Sequence, residues 1–233
     1  MLSFSFDYFL TVLPQLAEAV PYTFYFIIVS SAVSLLAGVV TACIRIARLP
    51  VLSPLTDVWM SFVRSMPFLL LLFLCYFVLP LCAEAIGLDS DSISKECYVY
   101  AAMFVHYGPI IAEVIRPAYQ SVDKGQHEAA VAFGLSPYRR VTRIILPQAL
   151  PVMLPGLVNQ VIEIVKDTSL MYMIGLMDLM GRANLLIHVH QGRGKLECYV
   201  GVALLYWLLI SVLEALLAYL NHKNARFLRR RPV

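Results

Sequence analysis

Residues 125–147 have the sequence GQHEAAVAFGLSPYRRVTRIILP, which predicts two short helices joined at an angle. The first covers roughly Gln126 to Phe133, and Gly134 is placed to end it in the left-handed conformation that glycine adopts easily. Ser136 can cap the second helix, with Pro137 at its first position, where the missing N–H does no harm. The mixture of basic and apolar residues that follows would let this second helix lie flat at a membrane surface.

The first of these helices has a surface suited to contact with another protein. Ala129, Ala130 and Ala132 form a small-residue face over which a partner's backbone can approach closely. Phe133 adds one large apolar anchor, and Glu128 adds a charge that can orient the contact. These features favour a helix that lies in a groove of a second protein. The alternative is an amphipathic connector that only rests on the bilayer.

The chain that carries this stretch has the composition of an integral membrane protein. It has 233 residues, of which 60% are hydrophobic and 14% charged, and its mean hydropathy is +0.76. A soluble domain carries about 25% charged residues and at most about half apolar ones. A globule of this size has too little interior to bury so much apolar surface, which excludes a water-soluble domain.

Five charge-poor blocks predict five membrane-spanning helices within a single domain that covers residues 1–233. A crossing takes about 20 apolar residues, and the blocks give spans of about 22–44, 61–82, 97–116, 151–174 and 198–220. Helices are expected because an isolated span in lipid must satisfy its own backbone hydrogen bonds. The predicted fold class is therefore all-α integral membrane, with the loop 123–147 between the third and fourth spans.

Lysines and arginines are distributed unevenly between the two sides of such a chain. Twelve fall in one set of loops and tails, and four fall in the other. Because basic residues are enriched in cytoplasmic loops, the larger set and the C-terminus are expected inside and the N-terminus outside. No basic residue precedes Arg45, so no cleavable secretory signal is expected. The larger set consists of Arg45, Arg48, Arg116, Lys124, Arg139, Arg140, Arg143, Lys223, Arg226, Arg229, Arg230 and Arg231.

The quoted stretch resembles the EAA signature of ABC importer permeases. Glu128-Ala129-Ala130, Gly134 after three further residues, and then Ile144, Leu146 and Pro147 match that signature at every spacing. The match is most similar to the polar amino acid permeases. Three supporting stretches also resemble that subfamily, namely Arg64-Ser65-Met66-Pro67, Ala112-Glu113-Val114-Ile115-Arg116 and Lys166-Asp167-Thr168-Ser169-Leu170. The chain departs from the subfamily's usual residues at Ser65, at Pro109-Ile110 and at Pro117.

The resemblance implies a type I importer permease in a bacterial inner membrane, with a cytoplasmic coupling helix that docks into a cleft on an ABC ATPase dimer. It further implies a second permease subunit (identical or a sister chain), an external solute-binding protein and a polar amino acid as the substrate. Membrane lipid surrounds such a chain, and nucleic acid is not an expected partner. The residues implied in ATPase coupling are Glu128, Ala129, Ala130, Phe133, Gly134, Ile144, Leu146 and Pro147.

The chain lacks the glycine-rich loop that binds ATP. Gly192-Arg193-Gly194-Lys195 is followed by Leu196, where that loop needs Ser or Thr. We therefore expect no enzyme activity and no cofactor in this chain, with ATP and Mg used by the partner ATPase. No catalytic residue is predicted, and no metal site is predicted at His188 and His190, since that loop offers too few further ligands.

Charged residues at membrane depth are the candidates for a substrate pathway or gate. Each costs roughly 2.5–3.5 kcal/mol to insert unless protein or water surrounds it. Glu163, Lys166 and Asp167 fall within one helical turn and could bind a zwitterionic substrate or form a structural ion-pair cluster. Glu113 and Arg116 are three residues apart and can pair on one helix face. The full set is Glu163, Lys166, Asp167, Glu113, Arg116 and Arg64.

Two other functional classes fit the composition but lack a supporting pattern. A self-sufficient secondary transporter or channel would use the charged cluster as its ion site, yet such folds commonly show paired repeats and none is visible here. An intramembrane hydrolase needs a catalytic dyad or metal set, and none stands out. A disulfide between Cys82 and Cys97, which flank a loop, is left open.

Overall fold

The computed structural model describes residues 4–229, and the side chains of Leu217 and of residues 220–229 are not part of that description. The described chain is helical, without strands. Of the predicted basic set, Arg230 and Arg231 lie outside the described residues, as do the side chains of Lys223, Arg226 and Arg229. The α-helices in this part are α1 (Phe6–Ala17), α2 (Val20–Ile46), α3 (Leu52–Arg64), α4 (Phe68–Ala85), α5 (Lys95–Gln120), α6 (Lys124–Ala132), α7 (Pro137–Arg140), α8 (Leu146–Thr168), α9 (Leu179–Val189) and α10 (Lys195–Arg229).

Five helical segments in the described part are long and apolar enough to cross a membrane, which confirms the predicted all-α fold class with five spans. They are Val20–Ile46, Phe68–Ala85, Lys95–Gln120, Pro137–Ile174 and Lys195–Leu216. The first, third and fifth lie within a few residues of the bounds predicted from sequence. The second and fourth differ.

The second span begins at Phe68 and not near residue 61, because Pro67 separates α3 from α4. Proline disfavours helical backbone in the residue that precedes it, so α3 ends at Arg64 and the chain turns through Ser65 and Met66. The backbone at Pro67 itself is extended, with φ −59° and ψ 138°.

The helical run that contains the fourth span begins at Pro137, because the second short helix is continuous with the membrane helix. A π-helical turn at Val141–Ile145 joins α7 to α8, and a 3₁₀ turn at Ser169–Ile174 follows α8. A proline ring crowds the carbonyl four residues before it, and a widened π turn just before Pro147 provides the space. The run has 38 residues, more than the about 20 that one crossing needs, so the start of the crossing near Pro151 stays a prediction.

Three helices, α1, α3 and α9, were not predicted from the sequence, and each packs against at least one span. α1 packs its Val12 and Leu16 against Ala183 of α9 and Cys198 of α10. α3 packs against α2 and α5, and α9 lies between the 3₁₀ turn and α10. These helices were missed because α1 and α3 carry charges within short segments, so neither has the long uncharged block of a span.

The largest core lies where α5 packs against α2 and α4. Phe26 of α2, Leu72 of α4 and Met103 of α5 are fully buried there. Close approach of α2 and α5 depends on Gly38, since a Cβ at that position would lie 2.2 Å from Cγ2 of Ile111. This packing makes α5 the central helix around which the other spans are arranged.

The buried carboxyl group of Asp178 caps the start of α9 and contacts α10. Asp178 precedes α9 and is fully buried, with its Oδ1 accepting from the Gly181 N–H at 2.8 Å and its Oδ2 accepting from the Tyr206 hydroxyl at 2.9 Å. Burial raises the pKa of Asp178 to about 6, although these hydrogen bonds oppose the shift. The folded state therefore holds this proton more tightly than the unfolded state does.

We predict that Asp178 makes stability rise as pH falls. The contribution is fully present below the unfolded-state pKa near 4 and is lost as pH rises through about 6, and it amounts to about 1 kcal/mol between pH 7.5 and pH 5. The Tm of the wild-type protein in detergent should therefore gain on that of Asp178→Asn by a few degrees over this range. Asp7→Asn, at an exposed carboxyl of α1, is the control and should give a flat difference. A flat difference for Asp178→Asn would contradict the assignment.

Candidate functional site: an exposed helix and a charged membrane site

α6 begins and ends with local hydrogen bonds that its sequence supplies. The Asp123 side chain accepts from the Gly125 N–H at 2.7 Å, which caps the first turn. At the other end Gly134 has φ +70°, and the Leu135 N–H donates to the Ala130 carbonyl at 3.0 Å. This is the left-handed helix stop that the sequence predicts at Gly134. The helix therefore has a fixed length and a fixed last turn.

The last turn of α6 carries large apolar side chains that the rest of the chain does not cover. Phe133 is 85% exposed, and Val131 and Tyr138 are also largely exposed. A groove beside them is lined by His127, Glu128, Val131, Ala132 and Arg140. Val131, Phe133 and Tyr138 lie outside the five spans or at the first residues of the fourth, and together they form an exposed apolar patch. Such a patch is typical of a protein interaction site.

The eight residues implied in ATPase coupling divide into two groups in the structure. Glu128, Ala129 and Phe133 are exposed on α6, and Gly134 ends that helix. Ala130 points inward and is buried. The remaining three lie in the helical run of the fourth span, where Leu146 is exposed and Ile144 and Pro147 are half-buried. We refer to Glu128, Ala129, Val131, Phe133 and Tyr138 as the α6 surface.

Glu113 is the shared member of a chain of ion pairs between three helices. Its Oε2 lies 2.9 Å from Nη1 of Arg64 on α3, and its Oε1 lies 3.6 Å from Nη1 of Arg45 on α2. Arg45 also places Nη2 at 2.8 Å from Oδ1 of Asp57. The expected pair of Glu113 with Arg116 is therefore wrong, because Glu113 faces α2 and α3 while Arg116, half-buried on α5, belongs to none of these pairs in the described structure.

Beside this chain of ion pairs lies a cavity of about 440 Å³ between α3 and α5. Arg64 and Glu113 line it together with His106, whose Nδ1 is buried and lacks a hydrogen-bond partner in the described part of the chain. The ring of His106 meets Phe68 edge-on, with 5.3 Å between ring centroids. The other lining residues are Val63, Met66, Ile110 and Val114. A cation, an anion and an imidazole ring thus line one small cavity.

The charges of α8 do not form the single cluster that their spacing suggested. Lys166 Nζ pairs with Glu163 Oε1 at 2.5 Å, and both side chains are about half exposed. Asp167 instead accepts a hydrogen bond from the hydroxyl of Tyr107 on α5 at 2.7 Å. Of the three charges, only Glu163 and Lys166 pair with each other, since residues adjacent in a helix point in different directions and Asp167 therefore faces α5. The exposed pair lies on a face that no other described helix covers.

Metal and disulfide chemistry are not visible in the described structure. Among the residues whose side chains the structure describes, no group of three or more of the metal-binding types lies together. All five cysteines are free, and Cys82 and Cys97 are both exposed and unpaired.

Three residues of this site, Arg45, Asp57 and His106, were not predicted, and only Asp57 has a signal in the sequence. Arg45 and Asp57 were not singled out as site residues, although Asp57 lies seven residues before Arg64 and therefore two turns away on the same face of α3. His106 was not predicted as a site residue, because a single sequence does not show that it lines a cavity.

Residues 34–226 match the family described as "Binding-protein-dependent transport system inner membrane component". The chain is 34% identical over 201 residues to the L-cystine transport system permease protein TcyL of Bacillus subtilis (strain 168), covering 86% of this chain and 83% of that protein. It is 33% identical over 213 residues to the probable amino-acid ABC transporter permease protein PatM of Vibrio harveyi, covering 91% of this chain and 92% of that protein.

Solved structures share the fold. A crystal structure of an amino acid ABC transporter with histidines has a TM-score of 0.79 and 23% identity, covering 95% of this chain and 100% of that chain. An inward-facing structure of the MetNI methionine ABC transporter has a TM-score of 0.73 and 19% identity, covering 92% of this chain and 98% of that chain. At these identities the two structures support the type I importer permease fold and nothing further.

Proposed function

The chain belongs to the family of binding-protein-dependent transport system inner membrane components, as an ABC importer permease of the polar amino acid type, and we propose that it forms the pathway for a polar amino acid. As a permease it is a multi-pass inner-membrane subunit of such an importer, and in this family ATP hydrolysis is the task of a separate subunit. Relatives named for L-cystine and for glutamine transport support the class of substrate. An external solute-binding protein would deliver that substrate to the permease.

The observation that carries the coupling role is the uncovered apolar turn of α6. Phe133 is 85% exposed at the C-terminal end of a nine-residue helix outside the spans, next to the small side chain of Ala129 and the charge of Glu128. We propose that the α6 surface docks into a cleft of a cytoplasmic ABC ATPase dimer that binds ATP and Mg. Ile144, Leu146 and Pro147 would support this surface from the base of the fourth span.

The coupling role requires α6 to lie in the cytoplasm, which agrees with the distribution of basic residues. α5 is 26 residues long, about 39 Å at 1.5 Å per residue, so its two ends reach opposite sides of a membrane. α6 follows its last residue within four positions, and the acidic loop at Ser90–Ser92 precedes its first. We therefore propose α6 and the C-terminus inside, with the N-terminus and the acidic loop outside.

A second permease subunit would cover the charged face of α8. Glu163 and Lys166 are paired with each other and half exposed within a membrane span, where contact of either charge with lipid is costly. They therefore need protein or water beside them. We propose that α8 faces the second permease, identical or a sister chain, across a polar pathway. Asp167, which is bonded to Tyr107, would hold α8 against α5 on the other side.

Within one subunit, the cavity beside Arg64 and Glu113 suits an α-amino acid. A carboxylate pairs well with a guanidinium group, and an ammonium group pairs well with a carboxylate. Nη1 of Arg64 and Oε2 of Glu113 are 2.9 Å apart, and a zwitterion entering between them would satisfy both charges. The ring of His106, which lines the same cavity, would then lie beside the substrate, and Arg116, one turn beyond Glu113, would lie outside this contact.

Disrupting the α6 surface should detach the ATPase. Phe133→Asp puts a charge where the partner's cleft must close, and Gly134→Val forces a branched side chain into left-handed backbone, which costs roughly 1–2 kcal/mol. A Cβ at Gly134 meets no neighbour, so this second change leaves packing intact. We expect copurified ATPase to fall about tenfold or more at matched permease levels.

Val189→Asp is the matched control for the α6 surface, since Val189 is a similarly exposed apolar residue outside the spans and away from α6. It should leave copurification unchanged. Undiminished ATPase in both α6 variants would make α6 a connector on the lipid surface and would remove the argument for its cytoplasmic location.

Removing either charge of the cavity should abolish transport while leaving the assembly intact. In Arg64→Gln and in Glu113→Gln one end of the substrate loses its partner, and the remaining charge is left unpaired. We expect uptake of the transported amino acid to fall at least tenfold, with normal copurification of ATPase. The exposed-carboxylate variant Asp7→Asn should transport normally. Normal uptake in both cavity variants would place the pathway elsewhere.

A further inference from the structure

α3 packs on the protein through buried apolar side chains and makes polar contacts beside them. Met60 and Val63 are buried, whereas Asp57 and Arg64 are largely exposed and reach charged partners on α2 and α5. Leu55, Val58 and Phe62 recur at the helical period on the outer side and are all largely exposed. In a membrane this outer apolar face contacts lipid, so the polar contacts add to a limited buried surface in positioning α3.

Those polar contacts connect α3 to the end of α2 and to α5. The Ser53 hydroxyl donates to the Ile44 carbonyl at 3.2 Å, and one turn later Asp57 pairs with Arg45. The next turn places the Met60 sulfur 3.6 Å from Nη1 of Arg45. At the end of α3, Arg64 reaches Glu113. Two of the four contacts involve Arg45, which makes it the central residue of the set.

Arg45 differs from Arg64 in burial and in the number of its partners. The side chain of Arg45 is 11% exposed and contacts two carboxylates on two helices, whereas that of Arg64 is 62% exposed and contacts only Glu113. A guanidinium group presents its N–H donors in a rigid planar fork, so two carboxylates bound to its two ends are held at a fixed separation. Arg45 is thus the fixed partner of Glu113, and Arg64 is the partner that is free to turn.

We propose that Arg45 is a positioning residue for the substrate cavity. It would hold Oε1 of Glu113 while Oε2 exchanges the Arg64 guanidinium for the substrate's ammonium group. Arg64 then turns to the substrate's carboxylate. Through Asp57, Arg45 also fixes the register of α3 against α5, and with it the distance over which Arg64 must reach. This proposal rests on the cavity being the amino acid site proposed above.

A role in positioning is distinguishable from a role in stability alone. Without Arg45, Glu113 keeps Arg64 as its one cationic partner, so the pair in the structure remains neutral. Once Arg64 turns to the substrate's carboxylate, Glu113 has no arginine partner left, so the complex with substrate is destabilised more. Substrate binding should therefore weaken beyond any loss of stability. If Arg45 only stabilised the packing of the helices, its substitution would lower the stability of the protein equally with and without substrate.

The test uses the permease–ATPase complex in detergent, with the amino acid transported by the wild type chosen from the standard L-amino acids and L-cystine. The readout is the rise in Tm that this amino acid produces as its concentration increases, since a ligand that binds the folded state stabilises it by mass action. We expect the concentration for the half-maximal rise to increase about tenfold in Arg45→Gln. ATPase copurification and the Tm without ligand should change little.

Two further variants keep the proposal testable if Arg45→Gln fails to fold. Arg45→Lys keeps the charge but cannot hold two carboxylates in a fork, so we expect an intermediate increase. Asp57→Asn touches neither Glu113 nor the cavity, and we expect about a two- to threefold increase through the loss of α3 register. An unchanged half-maximal concentration in all folded variants, with binding abolished by Arg64→Gln, would show that Arg45 only braces the helices. Unchanged binding in Arg64→Gln and Glu113→Gln as well would overturn the cavity itself.

Discussion

A charged side chain at membrane depth must meet an opposite charge, a polar group or water, and this constraint determines how the helices are arranged. Glu113 satisfies it through two arginines on two other helices, and Asp167 satisfies it through the hydroxyl of Tyr107. Each contact joins a span to its neighbour at a defined height. Glu163 and Lys166, by contrast, pair only with each other on an open face. The contacts of Glu113 and Asp167 join helices within this chain, and the open face is where we propose the second permease subunit.

The C-terminal part of α5 connects this charged region to α6. Glu113 lies two turns before the end of α5, and α6 with its uncovered phenylalanine follows after a three-residue turn. A movement imposed on α6 by a partner would therefore reach Glu113 through a short stretch of continuous helix. The same geometry provides a physical route by which ATP hydrolysis elsewhere can act on a site at membrane depth.

Local features of this structure could be predicted from the sequence, and contacts between distant residues could not. The five spans follow from long apolar blocks, and the end of α6 follows from Gly134, because both depend on neighbouring residues. The partners of Glu113 depend on the packing of α2, α3 and α5, which no spacing along the chain reveals. The continuity of the second short helix with the fourth span was not predicted, because it depends on a π turn before Pro147 that accommodates the proline. α3 was missed because its charges leave it without a long uncharged block.

The most direct test of the central claim is reconstitution of the chain into liposomes with a candidate ATPase partner and solute-binding protein. Uptake of a polar amino acid would be measured with and without enclosed ATP, and with each protein omitted in turn. An importer permease predicts uptake only when ATP, ATPase and binding protein are all present. Uptake by this chain alone, driven by an ion gradient and indifferent to ATP, would instead make it a self-sufficient transporter and would contradict the account.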